Sequence, residues 1–253
     1  MKSFLKDKNS FVSANLLKKI IPEGSVVETY FLYAGELELS LALNNRFVVS
    51  HTNKYPVYEF WWMAKHRGFQ IGSMAESIAP RMSEELLIEF QENWYLQRDP
   101  VYRSALFYIL CRCSKFAYAS CGEVDKSGFT RRSLAKLKNF EADNFQVVLD
   151  KFANLYENIN SEINSNFKLF PVGRYSRNYL MVPDEGRAPD LTYIDHHKLI
   201  GKLEEADYNW IAIYKKHNEV FEQLKNYRLM MVDKYGNQTS RRNNCEDIVV
   251  TNF

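Results

Sequence analysis

The chain has 253 residues, of which 46% are hydrophobic and 15% aromatic, with a formal net charge of +2. This is a globular composition, long enough for one substantial core with a small appended subdomain. The near-zero charge gives no general affinity for polyanions, so any phosphate contact has to come from a local basic patch. The four cysteines, Cys111, Cys113, Cys121 and Cys245, fit neither a Cys-x-x-Cys zinc pattern nor the framework of a small secreted domain. Reduced thiols and no metal are expected. Met1 to Asn9 lacks an apolar core of signal-peptide length, and no stretch approaches the roughly 20 apolar residues of a membrane span. The expectation is a soluble, cytoplasmic protein with no membrane contact.

In chain order, Asn15 to Ile21 has the spacing of a short helix. Pro22-Glu23-Gly24 breaks it before Val26 and Val27 begin a strand. Glu36 to Leu43 reads as a helix and Phe47-Val48-Val49 as a second strand. Lys54 to His66 is aromatic and helix-compatible. Ser83 to Tyr95 places Leu86, Leu87, Phe90 and Trp94 at helical spacing. Asp99-Pro100 opens a further helix whose buried face is Val101, Leu106, Phe107 and Leu110.

Residues 114 to 140 lose apolar periodicity and gather Arg131, Arg132, Lys136 and Lys138, which suggests a loop or recognition insert. Phe145 to Asn158 reads as a helix, Tyr179 to Val182 as a short buried strand and Leu191 to Leu203 as another helix. Trp210 to Tyr214 is a strong β run, followed by a helix over Glu219 to Lys225. Strands at Arg228 to Val232 and Asp247 to Thr251 close the chain. Strands alternating with helices predict an α/β sheet covered on both faces.

This order resembles the Dam-type, adenine-N6-specific DNA methyltransferases over most of the chain. Four stretches carry the likeness. Ile21 to Glu28 with Phe31, Ala34 and Gly35 looks like the strand entering the methyl-donor loop, and Phe47 to Asn53 like the second strand and its turn. Phe90 to Leu110, through Asp99-Pro100, is similar to the segment that introduces the DNA-recognition subdomain. Asn237 to Arg242 and Asp247 to Phe253 resemble the terminal polar loop and closing strand. The resemblance implies a Rossmann-like methyltransferase sheet with an inserted, mainly helical recognition subdomain. Residues 1–55 and 142–253 would form the core and 56–141 the insert.

The chemistry-bearing positions depart from that pattern. The family's Phe-x-Gly-x-Gly loop lets backbone approach S-adenosylmethionine; here it reads Phe31-Leu32-Tyr33-Ala34-Gly35 and is followed by Glu36. An acidic residue that accepts from the donor's ribose hydroxyls is replaced by His51, whose ring cannot reproduce a two-oxygen contact. The catalytic Asp-Pro-Pro-Tyr, which draws hydrogen bonds from the adenine amino group and stacks on the flipped base, is matched after Tyr179-Leu180-Met181 by Val182-Pro183-Asp184-Glu185. Valine offers no acceptor and glutamate no stacking face. The expectation is a degenerate member with no catalytic residue and no bound cofactor. S-adenosylmethionine would be the cofactor only if the motifs had diverged without losing activity.

Lys126, Arg131, Arg132, Lys136 and Lys138 lie where the resemblance places the DNA-contacting hairpin, and Arg241 and Arg242 form a second candidate patch. Such side chains neutralise phosphates, and arginine also reads guanine edges; a solvated basic face is the alternative. Phe116 and Tyr118 are read as core aromatics in preference to base-stacking ones. His196 and His197 are read as an exposed helix cap in preference to a metal site or general base. Three functions stay open: a non-catalytic protein binding double-stranded DNA or an active, paralogous methyltransferase subunit; an active DNA adenine-N6 methyltransferase with divergent motifs; and a structural protein of a phage or mobile element.

Overall fold

A computed structural model describes residues 5, 11–32, 34–114, 119, 123, 125–150, 159, 163–173, 179–182 and 190–253, without the side chains of 179–182 and 190–193. The first half of the chain contains α1 (Ala14–Ile20), β1 (Val26–Thr29), α2 (Glu36–Ala42), β2 (Phe47–Thr52), α3 (Tyr55–Ile78), α4 (Glu84–Asn93), α5 (Pro100–Cys113) and α6 (Arg131–Lys138). The second half contains β3 (Phe145–Leu149), β4 (Phe167–Gly173), β5 (Tyr179–Val182), β6 (Asp190–Tyr193), α7 (His196–Glu204), β7 (Trp210–Lys215), α8 (Asn218–Gln223), β8 (Arg228–Asp233), β9 (Gln238–Thr239) and β10 (Cys245–Thr251).

One eight-stranded sheet has the order β3-β2-β1-β4-β7-β10-β8-β9. Strands β3, β2, β1, β4 and β7 pair in parallel, whereas β10 lies antiparallel between β7 and β8. The central runs are apolar because both of their faces are covered. Leu169, Ile211, Ile213 and Val249 join the core beneath α1, α2 and α3. Phe170, Ala212, Tyr214, Ile248 and Val250 join the opposite core with Leu199 and Leu203 of α7 and Val220 of α8. The alternation within each strand is the two-residue period of the pleat.

Helices α3 to α6 fill the chain between β2 and β3. Val57, Phe60, Trp61, Leu106 and Leu137 belong to the same continuous core as Val27 of β1 and Val48 of β2. Their starts follow local chemistry. The Ser83 hydroxyl accepts from the Leu86 amide at 3.1 Å, and the Asp99 carboxylate accepts from the Tyr102 amide at 2.8 Å ahead of Pro100. Thr130 and Ser133 form a reciprocal capping box for α6.

The structure corrects several sequence expectations. Phe145–Leu149 is a strand, not the start of a helix, because it adds in parallel to β2; residues 151–158 of that expected helix lie outside the described residues. The supposed loop within 114–140 contains α6, whose buried Leu134 and Leu137 are spaced by three residues. The strand β4 was not anticipated. Pro171 and Lys168 disguise it, and the sheet accommodates the proline where its register with β7 shifts between Pro171 and Gly173. Tyr179–Val182 is a strand, but it pairs with β6 in a separate two-stranded sheet. Leu191 to Leu203 divides into the end of β6 and α7. No helix among the described residues is long and apolar enough to cross a membrane.

Candidate functional site

Chain order runs from β1 to β2 to β3 in one direction across the sheet and from β4 to β7 in the other, so the order switches between β1 and β4. Ligands of doubly wound sheets bind outside the carboxyl ends of the strands at this switch. The described side chains near the end of β1 are Glu28 and Tyr30, His51 from β2, Asp150 after β3 and, from the strand beside β1, Lys168 at the start of β4 opposite Glu28 and Phe170 in its middle.

These side chains engage one another. The His51 Nδ1 is 3.0 Å from Asp150 Oδ2, and its Nε2 is 2.8 Å from Glu28 Oε1, an ion-pair contact without hydrogen-bond alignment. Lys168 Nζ lies 2.9 Å from Glu28 Oε2, and the Ser165 hydroxyl donates to that same oxygen at 3.2 Å. Lys168 also donates to the Ile159 carbonyl, and its ammonium sits 4.9 Å from the Tyr208 ring. Glu28, His51, Asp150 and Lys168 are all buried.

Burial by itself would lower the His51 pKa. The hydrogen bond to Asp150, the contact with Glu28 and the charges of both carboxylates outweigh it, and the imidazole is pushed up to about 9. His51 is therefore a cation at neutral pH. Two cations, His51 and Lys168, balance two carboxylates, Glu28 and Asp150. Buried charges persist only when paired in this way, since removing one partner strands the others in a medium that cannot solvate them.

Over the cluster runs a stack of three rings. Tyr30 lies 4.9 Å from His51 at an interplanar angle of 11°, and 4.9 Å from Phe170 on its other side at 7°. The register places them side by side, because Thr29 is opposite both Ser50 and Leu169. Thus β2, β1 and β4 each contribute one ring at the point where the sheet order switches.

The loop after β1 is equally committed. Gly35 has a left-handed backbone, φ 68° and ψ 22°, and precedes α2. A Cβ built on it would stand 2.6 Å from Cζ2 of Trp61 in α3. Gly35 is thus needed by its turn and by an indole face. Phe31 is also left-handed at φ 65° and is buried. Glu36 begins α2, half-buried, and Tyr33 lies outside the described residues.

Of the tetrapeptide expected at Val182-Pro183-Asp184-Glu185, only the backbone of Val182 lies among the described residues. Val182 ends β5, whose partner among the described residues is β6, and residues 183–185 lie outside them. The strand beside β1 is β4, and its end reads Phe170-Pro171-Val172-Gly173. Phe170 is turned into the Tyr30 stack, and neither Pro171 nor Val172 carries a polar side chain.

The two basic patches are not brought together. Arg131 and Arg132 are exposed at the start of α6, which packs on α3 beside the β3 edge. Lys138 pairs with Glu76 and lies 5.7 Å from the Phe69 ring, Lys136 is half-buried, and Lys126 donates to the Met82 carbonyl at 2.8 Å. Arg241 and Arg242 follow β9 at the other edge, with the Arg242 guanidinium 4.5 Å from the Phe221 ring.

His196 corrects its expectation: it is buried, not an exposed cap. Burial holds it down to about 4, opposed by the charge of Asp195, and its ring lies 5.9 Å from Tyr214. Asp195 caps α7 by accepting from the Lys198 amide, and His197 is exposed. Cys111 and Cys113 are buried, Cys121 lies outside the described residues with Phe116 and Tyr118, and among the described residues no three His, Cys, Asp or Glu side chains are placed so that they could hold a metal ion.

Sequence reasoning missed Glu28, Asp150 and Lys168 as a set. The available signal was a charged residue within or directly after each of three apolar runs, Val26–Thr29, Phe145–Leu149 and Phe167–Gly173.

The switched parallel order, with one antiparallel strand inserted next to the last parallel one, makes this a doubly wound, Rossmann-like α/β fold. Similar solved structures include coclaurine N-methyltransferase bound to N-methylheliamine and SAH, at 12% identity and a TM-score of 0.33, covering 85% of this chain. The chain spans 40% of that protein's length. An rRNA methylase from Streptococcus thermophilus is similar at 12% identity and a TM-score of 0.37, covering 98% of this chain and 97% of its own. No protein-family model and no curated protein matches the chain.

Proposed function

We propose that this chain is a catalytically inactive relative of the Dam-type DNA adenine methyltransferases, which binds nucleic acid through its helical insert, 56–141, or serves as the non-catalytic subunit of an active methyltransferase. The buried Glu28–His51–Asp150–Lys168 cluster at the switch point carries this reading. A ribose needs outward-facing carboxylate oxygens, and here both carboxylates are held by the cluster's own cations. The three-ring stack and the Trp61 indole against Gly35 occupy ground that a donor's adenosine and methionine parts require. These residues do not fit S-adenosylmethionine. Phe170-Pro171-Val172-Gly173 likewise offers no side-chain acceptor to an adenine amino group.

Two assays test the reading. With tritiated S-adenosylmethionine and duplex DNA, no label should enter the DNA; incorporation above background contradicts inactivity and favours the divergent-enzyme alternative. In gel shifts, neutralising Arg131, Arg132, Lys136 and Lys138 together should weaken DNA binding and flatten its salt dependence. Unchanged affinity and slope would remove α6 from the interface.

A further inference from the structure

The outer side of α3 carries rings where a helix exterior ordinarily carries polar groups. Trp62 and Phe69 stand on either side of the kink that α3 makes at Arg67 (φ −141°, ψ 31°), and they expose 44% and 65% of their surface. Each has a polar or cationic neighbour in contact. The His66 ring lies 4.4 Å from Trp62 at 55°, and the Lys138 ammonium lies 5.7 Å from Phe69.

Helix α6 is locked beside this face. A Cβ on Gly68 would meet the Leu137 carbonyl at 2.6 Å, and one on Gly72 would meet Lys138 Cγ at 2.4 Å. Two glycines of α3 therefore let α6 approach closely, which puts Lys138, itself paired with Glu76 of α3, next to the Phe69 ring. Within Arg131–Lys138 four residues are basic, Arg131, Arg132, Lys136 and Lys138, and none is acidic. At 1.5 Å rise per residue, Arg131 stands roughly 10 Å along the helix from Lys138. That span is a little over one phosphate step of an extended strand.

We infer that the α3–α6 face binds a single strand of nucleic acid, with unpaired bases stacked on Trp62 and Phe69 and phosphates along α6. This rests on the reading of the chain as a nucleic-acid-binding protein. Rings interleaved with cations are how unpaired strands are held, because every base has a stacking face and the backbone supplies uniform charge. A duplex hides those faces and would leave the two rings without a role. A protein partner would need an acidic surface to match α6, and lysines are depleted in protein interfaces.

The experiment is fluorescence anisotropy on the full chain with a labelled 20-nucleotide oligo(dT) and a 20-base-pair duplex. The single strand should bind at least tenfold more tightly. W62A/F69A, which alters exposed side chains, should retain the wild-type circular dichroism and melting curve. It should lose at least tenfold in affinity for the oligo(dT) while its duplex affinity is unchanged. Arg131→Ala with Arg132→Ala should lower the salt slope on both forms. Equal affinity of W62A/F69A and wild type for oligo(dT), or a preference for duplex, overturns this inference and leaves the binding reading intact. Binding of neither form removes both. Self-association of the wild type that W62A/F69A abolishes in sedimentation, without oligonucleotide binding, assigns the face to a second copy and overturns the inference.

Discussion

The carboxyl ends of β1 to β4 and the outer face of α3 invert the usual arrangement of a ligand-binding α/β protein. Where the sheet order switches, Glu28, His51, Asp150 and Lys168 are buried and paired among themselves, and His51 stacks on Tyr30. On α3, Trp62 and Phe69 stand exposed, the first against His66 and the second beside Lys138 of α6. Polar chemistry has turned inward where a cosubstrate would sit, and apolar surface has turned outward on the insert. The contrast teaches that the apolar pattern sets the strands, while strand-end and surface residues set the chemistry.

The largest effect expected to break this contrast comes from His51→Ala. It leaves Glu28 and Asp150 buried with Lys168 as the remaining cation of the cluster, and should cost about 3–5 kcal/mol. Urea denaturation followed by circular dichroism checks it; a change below about 1 kcal/mol would mean that the cluster is not what fills the crevice.

A pH series reads the same cluster without mutation. The folded-state pKa of His51 is raised from 6.5 to about 9, so its contribution is fully present below about pH 6.5 and is lost as pH rises through about 9. The alkaline loss should amount to up to about 3 kcal/mol. His196 works in the opposite sense: lowered to about 4, it contributes above about pH 6.5, and this is lost as pH falls toward 4. Stability should therefore peak near neutrality, and His51→Ala should remove the alkaline limb alone.

Gly35→Ala comes next. The left-handed backbone costs about 1–2 kcal/mol for any residue with a Cβ, and the contact with Trp61 adds overpacking of about 1–3 kcal/mol. A destabilisation of about 3 kcal/mol, read as a lowered urea midpoint, is expected. A neutral result would show that this glycine is not held by the indole. The smallest effect on stability belongs to Arg131→Ala with Arg132→Ala, within about 0.5 kcal/mol because both are exposed. Their effect should appear only in nucleic-acid affinity and its salt slope.

Much of the sheet was legible in the sequence. Val26–Val27, Phe47–Val49, Trp210–Tyr214 and Asp247–Thr251 are apolar runs bounded by turns, and each is a strand. Asp99-Pro100 and Ser83 announced helices that their side chains do cap. The failures have physical causes. Phe145–Leu149 becomes a strand through non-local pairing with β2, which outweighs its helical spacing. Lys168 and Pro171 hid β4, whose lysine is compensated by Glu28 across the sheet. His51 at the end of the second strand was legible, but its consequence was not. His51 and Asp150 are separated by 99 residues, and no spacing rule joins them before the strands assemble.

Isothermal titration of the intact chain with S-adenosylmethionine tests the central claim most directly. No binding heat up to millimolar ligand is the predicted result. Saturable micromolar binding would show that the histidine, its two carboxylates and the lysine yield to a nucleoside, and would contradict the account.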